Sequence, residues 1–209
     1  MAKLYFRYGT VSSAKTLNLL AVAHNYRQQG KHILLIKPLL DTRFSEKKIK
    51  SRAGLEQTAD LLVDSTTELP LKQFDRYDCI LVDEVQFIAP SIIDQLRHAA
   101  THMRVPVICY GLRADFRTNA FPGSQRLFEL ADSIEEIKTT CAYCAKKAIM
   151  NLKHKDGIAT LEGPSVDLGA EEKYFPACYG CYEHALGEGR ALESSTVGLQ
   201  VLSQKIANS

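Results

Sequence analysis

The chain has 209 residues and a formal net charge of +2 at pH 7, and 45% of its residues are hydrophobic. This length fits one ordinary domain with a small appendage, and the hydrophobic fraction excludes a disordered protein. The near-neutral charge excludes strong electrostatic attraction to nucleic acid or to an anionic membrane. The sequence shows no signal-peptide region and no apolar run of membrane-spanning length. We therefore expect a cytoplasmic protein with no nucleic-acid or membrane partner.

Short apolar strands alternate with helical patterns from the N-terminus to about residue 138. Strands are predicted at residues 4–6, 32–37, 79–82, 105–110 and 134–137, and helices from 17 to 30, from 90 to 103 and from 123 to 131. This alternation predicts an α/β fold with a mostly parallel sheet and helices on both faces. Residues 41–60 are polar, and we expect them to form a mobile loop.

A segment between the first predicted strand and the first predicted helix has the outline of a phosphate-binding P-loop. It consists of Gly9, Thr10, Val11, Ser12, Ser13, Ala14, Lys15 and Thr16. Backbone N–H groups and a helix N-terminus carry partial positive charge there, so all eight residues are candidates for ATP binding. We expect Lys15 to reach the β- and γ-phosphates and the Thr16 hydroxyl to bind Mg²⁺. The alternative is a strand–turn–helix with a surface lysine.

Ala14 stands where the P-loop pattern has glycine. If the backbone at this position has a positive φ, alanine is strained by about 1–2 kcal/mol. A strain of this size is tolerable, so the departure does not remove the P-loop interpretation.

The predicted strand at 79–82 leads directly into the motif Asp83-Glu84-x-Gln86-Phe87. In P-loop proteins an aspartate at a strand end is the usual second anchor for Mg²⁺, which makes Asp83 a candidate for magnesium and ATP binding. A neighbouring glutamate can take the proton from an attacking hydroxyl, so Glu84 is the candidate catalytic base. Both sites would lie at the carboxyl ends of strands, where open α/β sheets bind ligands. The alternative is a capping Asp83 and a solvated Glu84.

Four of the six cysteines form two Cys-x-x-Cys pairs. Cys141 and Cys144 make the first pair, Cys178 and Cys181 make the second, and 33 residues (145–177) separate them. Four thiolates complete the tetrahedral shell of a structural Zn²⁺. Disulfides or redox pairs are the alternative, which a reducing cytosol disfavours. His184 is an alternative ligand in place of one thiolate.

The composition changes at the first cysteine pair, where helical periodicity stops. We predict a P-loop α/β nucleotide-binding domain at 1–139, a zinc-binding domain at 140–186 and a flexible C-terminal tail at 187–209.

Together the P-loop, the acidic strand end and the cysteine pairs resemble the class II (cellular-type) thymidine kinases, from Leu4 to about Glu183. Further segments agree with that family: Asp-Thr-Arg at 41–43, Ser-Arg-Ala-Gly-Leu at 51–55, the nucleoside segment at 111–116 with Phe121, and the end of the loop called the lasso at 172–174. The resemblance implies a P-loop NTPase-type fold with a small C-terminal zinc domain. It also implies a homotetramer that phosphorylates deoxythymidine with ATP and Mg²⁺.

The resemblance also implies roles for individual residues. Glu84 would deprotonate the 5′-hydroxyl of deoxythymidine, Thr16 and Asp83 would hold Mg²⁺, and Lys15 and Arg43 would steady the phosphates. Gln86 would take part in ATP binding. The implied nucleoside-binding residues are Phe87, Leu112, Phe116, Phe121, Gly169 and Tyr174.

Two positions depart from the family pattern. One is Ala14, and the other is Leu168-Gly169-Ala170, where the family usually has Ile-Gly-Gly. Two further functions stay open at this point: a nucleic-acid-dependent P-loop ATPase that grips DNA or RNA with its zinc module, and a non-catalytic nucleoside-binding relative.

Overall fold

The computed structural model describes residues 2–42, 47–165 and 173–188. The strands within these residues are β1 (Leu4–Tyr8), β2 (Ile33–Pro38), β3 (Lys48–Lys50), β4 (Glu56–Thr58), β5 (Leu61–Val63), β6 (Cys79–Val82), β7 (Val107–Gly111), β8 (Ser133–Glu136), β9 (Met150–Lys155), β10 (Ile158–Ala159) and β11 (Tyr174–Ala177). The α-helices are α1 (Lys15–Gln28), α2 (Pro90–His98), α3 (Pro122–Leu130) and α4 (Tyr179–Glu188).

A six-stranded sheet forms the centre of the N-terminal part. Its strand order is β5-β2-β6-β7-β1-β8, and each neighbouring pair is parallel. Parallel neighbours need crossover connections, and helices α1, α2 and α3 lie within those connections. The predicted α/β fold with a mostly parallel sheet is confirmed.

Alternate strand residues point to opposite faces of this sheet. On β2, Leu34 and Ile36 join the apolar cluster that contains α2 and α3. Leu35, between them, joins the cluster that contains Leu19 and Leu20 of α1. Because both faces are buried, β2 reads as a continuous apolar run rather than an alternating one.

The expectation of a loop over 41–60 is wrong for residues 48–58, where β3 and β4 form an antiparallel hairpin. Ile49 is its buried residue, and a Lys48–Glu56 ion pair of 2.9 Å joins the two strands. Lys37, at the end of β2, donates to the Lys48 carbonyl oxygen at 3.0 Å and pairs with Asp41 at 3.3 Å. Ile49 joins the apolar cluster that contains Leu19 and Leu20, but the other five residues of the two strands are polar, so periodicity gave no sign of the hairpin.

The part of the chain from 141 to 188, which we call the metal module, has a small sheet of its own. Its antiparallel strand order is β10-β9-β11, and α4 follows directly after β11. Polar Asn151 and Lys153 are buried on β9 beside apolar Met150 and Leu152, so the strand lacks an alternating pattern. The second predicted pair of cysteines flanks the start of α4, a helix that the sequence did not predict.

None of the helices in the described ranges has the length and apolarity that crossing a lipid bilayer requires.

Candidate active site

The phosphate loop, residues 9–16, connects β1 to α1 in a strained conformation. Ala14 has φ 62° and Ser12 has φ 59°, both in the left-handed region. The structure thus meets the condition under which Ala14 is strained by about 1–2 kcal/mol. Gly9 has no room for a side chain, because a Cβ would lie 2.3 Å from Ser13 Oγ and 2.6 Å from the Ile137 carbonyl oxygen. The loop therefore depends on glycine at its first position.

Lys15 and Thr16 lie at the start of α1 and face the same cavity. The Lys15 ammonium donates to the Thr10 carbonyl oxygen at 2.6 Å, which holds the side chain across its own loop. The Thr16 hydroxyl donates to the Asp83 carboxylate at 3.2 Å, although the two lie 67 positions apart in the sequence. Asp83 is buried at the end of β6. A hydroxyl and a buried carboxylate beside a phosphate loop supply the oxygen donors that Mg²⁺ prefers, so this pair fits the ion.

Glu84 follows Asp83 with φ 47°, an unfavourable conformation for a non-glycine residue. Its carboxylate accepts a short hydrogen bond from the Gln86 side-chain amide. Gln86 is 2% exposed and accepts from the Leu112 backbone N–H at 3.0 Å. A Cβ at Gly111 would lie 2.5 Å from Gln86 Oε1, so β7 packs closely against this amide. A buried glutamine, held by the Leu112 N–H and by close packing of β7, therefore orients the Glu84 carboxylate.

A cavity of about 310 Å³ joins these groups. Its lining includes most of the predicted site residues: Val11, Ser12, Ser13, Ala14, Lys15, Thr16, Asp83, Glu84, Gln86, Phe87, Leu112, Phe116, Phe121 and Tyr174. Gly9 and Thr10 line a neighbouring cavity of about 250 Å³ instead. Arg43 and Gly169 lie outside the described residues, and so does the Leu168-Gly169-Ala170 segment. Residues far apart in the sequence thus share one concave site.

Four of the lining side chains, Phe87, Phe116, Phe121 and Tyr174, form what we call the aromatic wall. Phe87 and Phe121 meet edge to face, with ring centroids 5.7 Å apart. Phe116 and Tyr174 are 6.0 Å apart, and the Lys153 ammonium lies 4.8 Å from the Phe116 centroid. Flat rings around a cavity of this size suit a planar heterocycle.

Sequence reasoning assigned no role to several residues that the structure brings to the cavity. Arg52, in the loop of the β3–β4 hairpin, donates to Ser12 Oγ at 2.6 Å and so touches the phosphate loop. Asp115 accepts from the backbone N–H groups of Arg117 and Asn119, both at 2.9 Å, and shapes the turn beside Phe116. The Ser-Arg-Ala-Gly-Leu segment was the available signal for Arg52. Asp115 shows none beyond its place in the nucleoside segment.

The four predicted zinc ligands come together although 33 residues (145–177) separate the two pairs. The Sγ atoms of Cys141, Cys144, Cys178 and Cys181 all lie within 4.8 Å of one another. Those of Cys144 and Cys178 are 3.6 Å apart, close to the ~3.8 Å edge of a tetrahedron with Zn–S bonds of about 2.3 Å. The backbone N–H of Cys181 donates to Cys178 Sγ and lowers the pKa of that thiol. The donor set therefore fits Zn²⁺, and His184 is exposed and outside this cluster.

Side chains connect the metal module to the cavity. The Tyr182 hydroxyl, on α4, donates to the Phe116 carbonyl oxygen at 2.7 Å. Arg113 donates to the Ile149 carbonyl oxygen at 3.0 Å. The module thus supports the chain segment that carries part of the aromatic wall.

A P-loop and an acidic strand end on a parallel sheet define a P-loop nucleotide-binding protein. The family model of thymidine kinases matches residues 2–182. The thymidine kinase of Lactococcus lactis subsp. lactis (strain IL1403) is 42% identical over 184 residues, covering 85% of this chain and 95% of the relative. Those of Lactiplantibacillus plantarum (strain ATCC BAA-793 / NCIMB 8826 / WCFS1) and Streptococcus agalactiae serotype Ia are 41% and 40% identical, covering 85% of this chain and 94% and 95% of the relatives. The chain belongs to the thymidine kinase family.

Proposed function

We propose that this protein transfers the γ-phosphoryl group of ATP to the 5′-hydroxyl of deoxythymidine, giving dTMP and ADP. The observation that carries the proposal is the meeting of the phosphate loop, Glu84 and the aromatic wall in one cavity, within a chain of the thymidine kinase family. A phosphate site alone would serve any nucleotide hydrolase. An aromatic compartment beside it supplies a place for a second, planar substrate.

Binding of the donor nucleotide is assigned to the phosphate loop. The Gly9 and Val11 N–H groups donate to the Gly111 carbonyl oxygen and to Asn151 Oδ1. The other N–H groups of residues 9–16 and the N-terminus of α1 favour the negative charge of a polyphosphate. Lys15 is released from the Thr10 carbonyl oxygen to reach the β- and γ-phosphates. Thr16 and Asp83 are the residues that would hold Mg²⁺, which, when bound, neutralises charge on the phosphates. Arg43 is assigned to phosphate contact and Gln86 to ATP binding.

Proton removal is assigned to Glu84. Its carboxylate takes the proton of the 5′-hydroxyl as that oxygen forms a bond to the γ-phosphorus. The bond between the γ-phosphorus and the oxygen that bridges it to the β-phosphate breaks, and ADP leaves with its electron pair. The short bond from Gln86 holds the carboxylate in place, so the correct orientation is set before the substrate arrives.

Recognition of the nucleoside is assigned to Phe87, Leu112, Phe116, Phe121, Gly169 and Tyr174. Stacking of a base on an aromatic side chain contributes about 1–3 kcal/mol. The four thiolates are assigned to one structural Zn²⁺ that stabilises the metal module rather than reacting. We further propose the division into domains at 1–139 and 140–186, a homotetrameric assembly and a cytoplasmic location.

A coupled assay of ADP release tests the function. The purified protein is incubated with ATP, Mg²⁺ and a panel of nucleosides, and in parallel with single- and double-stranded DNA and with RNA. We expect deoxythymidine to stimulate ADP release and nucleic acid to have no effect. Stimulation by nucleic acid alone would favour the P-loop ATPase. Nucleoside binding without any ADP release would favour the non-catalytic relative.

A further inference from the structure

Asn151 connects three parts of the molecule with one side chain. It lies on β9 of the metal module and is 7% exposed. Its Oδ1 accepts from the backbone N–H of Val11 in the phosphate loop at 2.9 Å. Its Nδ2 donates to the carbonyl oxygen of Ala114 at 2.9 Å. The chain separations are 140 and 37 residues, so neither contact is a local turn.

The two bonds require an amide. Val11 offers a donor and Ala114 an acceptor, and a carboxamide is both acceptor and donor at one branch point. A leucine of similar volume satisfies neither partner. Because buried backbone groups without partners are costly, loss of the amide would shift the two backbone segments towards other partners or water.

One of the two partners belongs to the phosphate loop and the other to the nucleoside segment. Val11 directly precedes Ser12, whose φ of 59° shows how tightly the phosphate loop is bent. Ala114 lies two residues before Phe116, whose ring belongs to the aromatic wall. Asn151 itself lines the cavity between them. A displacement of this amide would therefore move the phosphate loop and the nucleoside segment together.

We propose that Asn151 is a positioning residue that fixes the position of the phosphate loop relative to the nucleoside segment. Through this side chain the metal module influences the binding of both substrates. This inference rests on the proposed function. The module is joined to the nucleoside segment by the Tyr182–Phe116 and Arg113–Ile149 bonds as well, but Asn151 adds the link to the phosphate loop. Transfer needs the γ-phosphorus and the 5′-oxygen in line, which a common support for both sides favours.

The test compares Asn151→Leu with Tyr182→Phe. The second variant removes a buried hydroxyl of the same module that, within residues 2–42, 47–165 and 173–188, bonds to the nucleoside segment and not to the phosphate loop. For Asn151→Leu we expect KM to rise about tenfold for ATP and for deoxythymidine, with zinc content unchanged. For Tyr182→Phe we expect a rise for deoxythymidine and less than a twofold change for ATP. Asn151→Ala is measured as well, because it leaves room for water if leucine prevents folding.

An unchanged KM for ATP in both Asn151 variants would overturn the inference, because Asn151 would then serve the nucleoside alone. Equal effects of Tyr182→Phe on both substrates would overturn it too, because any disturbance of the module would then suffice. The affinity for Mg–ADP is measured by calorimetry without nucleoside. If the wild-type protein forms no dTMP and the Asn151 variants still weaken ADP binding about tenfold, the proposed function fails while Asn151 keeps its role towards the phosphate loop.

Discussion

The α/β core and the metal module hold their functional residues by different means. In the core, the phosphate loop and the acidic strand end follow directly from strands β1 and β6, which lie inside a six-stranded sheet with apolar clusters on both faces. In the module, a three-stranded sheet carries one small cluster that includes two of the cysteines themselves. The core is therefore stabilised by apolar burial, whereas we expect the module to depend on its four cysteines as metal ligands and on polar bonds to the core.

Because of this difference, we expect substitutions in the core and in the module to affect different properties of the protein. A change in the core affects the reacting groups at short range, because the backbone around them is fixed. A change in the module acts through single hydrogen bonds such as that from Tyr182 to the Phe116 carbonyl oxygen. We therefore expect core variants to alter turnover and nucleotide binding, and module variants to alter zinc content and substrate affinity.

The largest effect is expected for Glu84→Gln, which tests the role of the core in turnover. Turnover should fall by about 10²–10⁴-fold, because this is what a positioned general base contributes. Nucleoside affinity should survive, since the amide is nearly isosteric. Steady-state kinetics and equilibrium binding of deoxythymidine measure the two quantities. Glu68→Gln, an exposed carboxylate outside the cavity lining, is the control. Near wild-type turnover of Glu84→Gln would remove Glu84 from the mechanism.

Cys178→Ser tests whether the module depends on its metal ligands. Removing one thiolate opens the tetrahedral site, so we expect loss of the zinc and at least a tenfold weaker affinity for deoxythymidine, together with a lower Tm. Metal analysis of protein purified without chelator, calorimetry and thermal unfolding give the three results. His184→Ala is the matched control and should keep one zinc per chain. Full deoxythymidine affinity in a zinc-free variant would show that the module does not support the nucleoside segment.

Gly9→Ala is expected to have an intermediate effect on the core. The added methyl group overlaps Ser13 Oγ and the Ile137 carbonyl oxygen, and such overpacking costs about 1–3 kcal/mol. We expect the affinity for ATP to fall about tenfold while zinc content stays constant. Gly187→Ala serves as the control, because a new Cβ there meets no atom of the described residues within 4 Å outside its own helix. Equal ATP affinity of Gly9→Ala and the wild-type protein would mean that the loop rearranges freely.

Ala14→Gly should have the smallest effect and the opposite sign. Glycine adopts a φ of 62° without penalty, so the variant should keep activity and gain at most about 1–2 kcal/mol in ATP affinity. Calorimetric titration with a non-hydrolysable ATP analogue measures the gain. Weaker binding by the glycine variant would show that the stiffer alanine loop is better preorganised, and that strain is not the relevant difference.

The sequence predicted the core well because its signals are local. The strand at Cys79–Val82 has the predicted bounds, and Lys15 and Glu84 line the cavity that the motifs imply. The P-loop pattern works because neighbouring residues share one turn of backbone. The cysteine spacing predicted the cluster of four thiols for the same reason, since each Cys-x-x-Cys pair is itself one turn.

The remaining features could not be predicted because they depend on contacts between distant residues. Asn151 has no motif, and its role emerges only where β9 meets the phosphate loop. Ile49 is the single buried residue of strands β3 and β4, and Lys37 and the Lys48–Glu56 pair also hold their hairpin. Polar residues held by long-range hydrogen bonds leave no periodicity in a sequence.

The most direct test of the account follows the phosphoryl group itself. The protein is incubated with Mg²⁺, deoxythymidine and ATP labelled in the γ-phosphoryl group, and the products are separated. We expect the label to appear in dTMP, one for each ADP formed, because in the proposed mechanism Glu84 activates the 5′-hydroxyl rather than water. Label found only in inorganic phosphate, with no labelled monophosphate from any pyrimidine deoxynucleoside at any Mg²⁺ concentration, would contradict it.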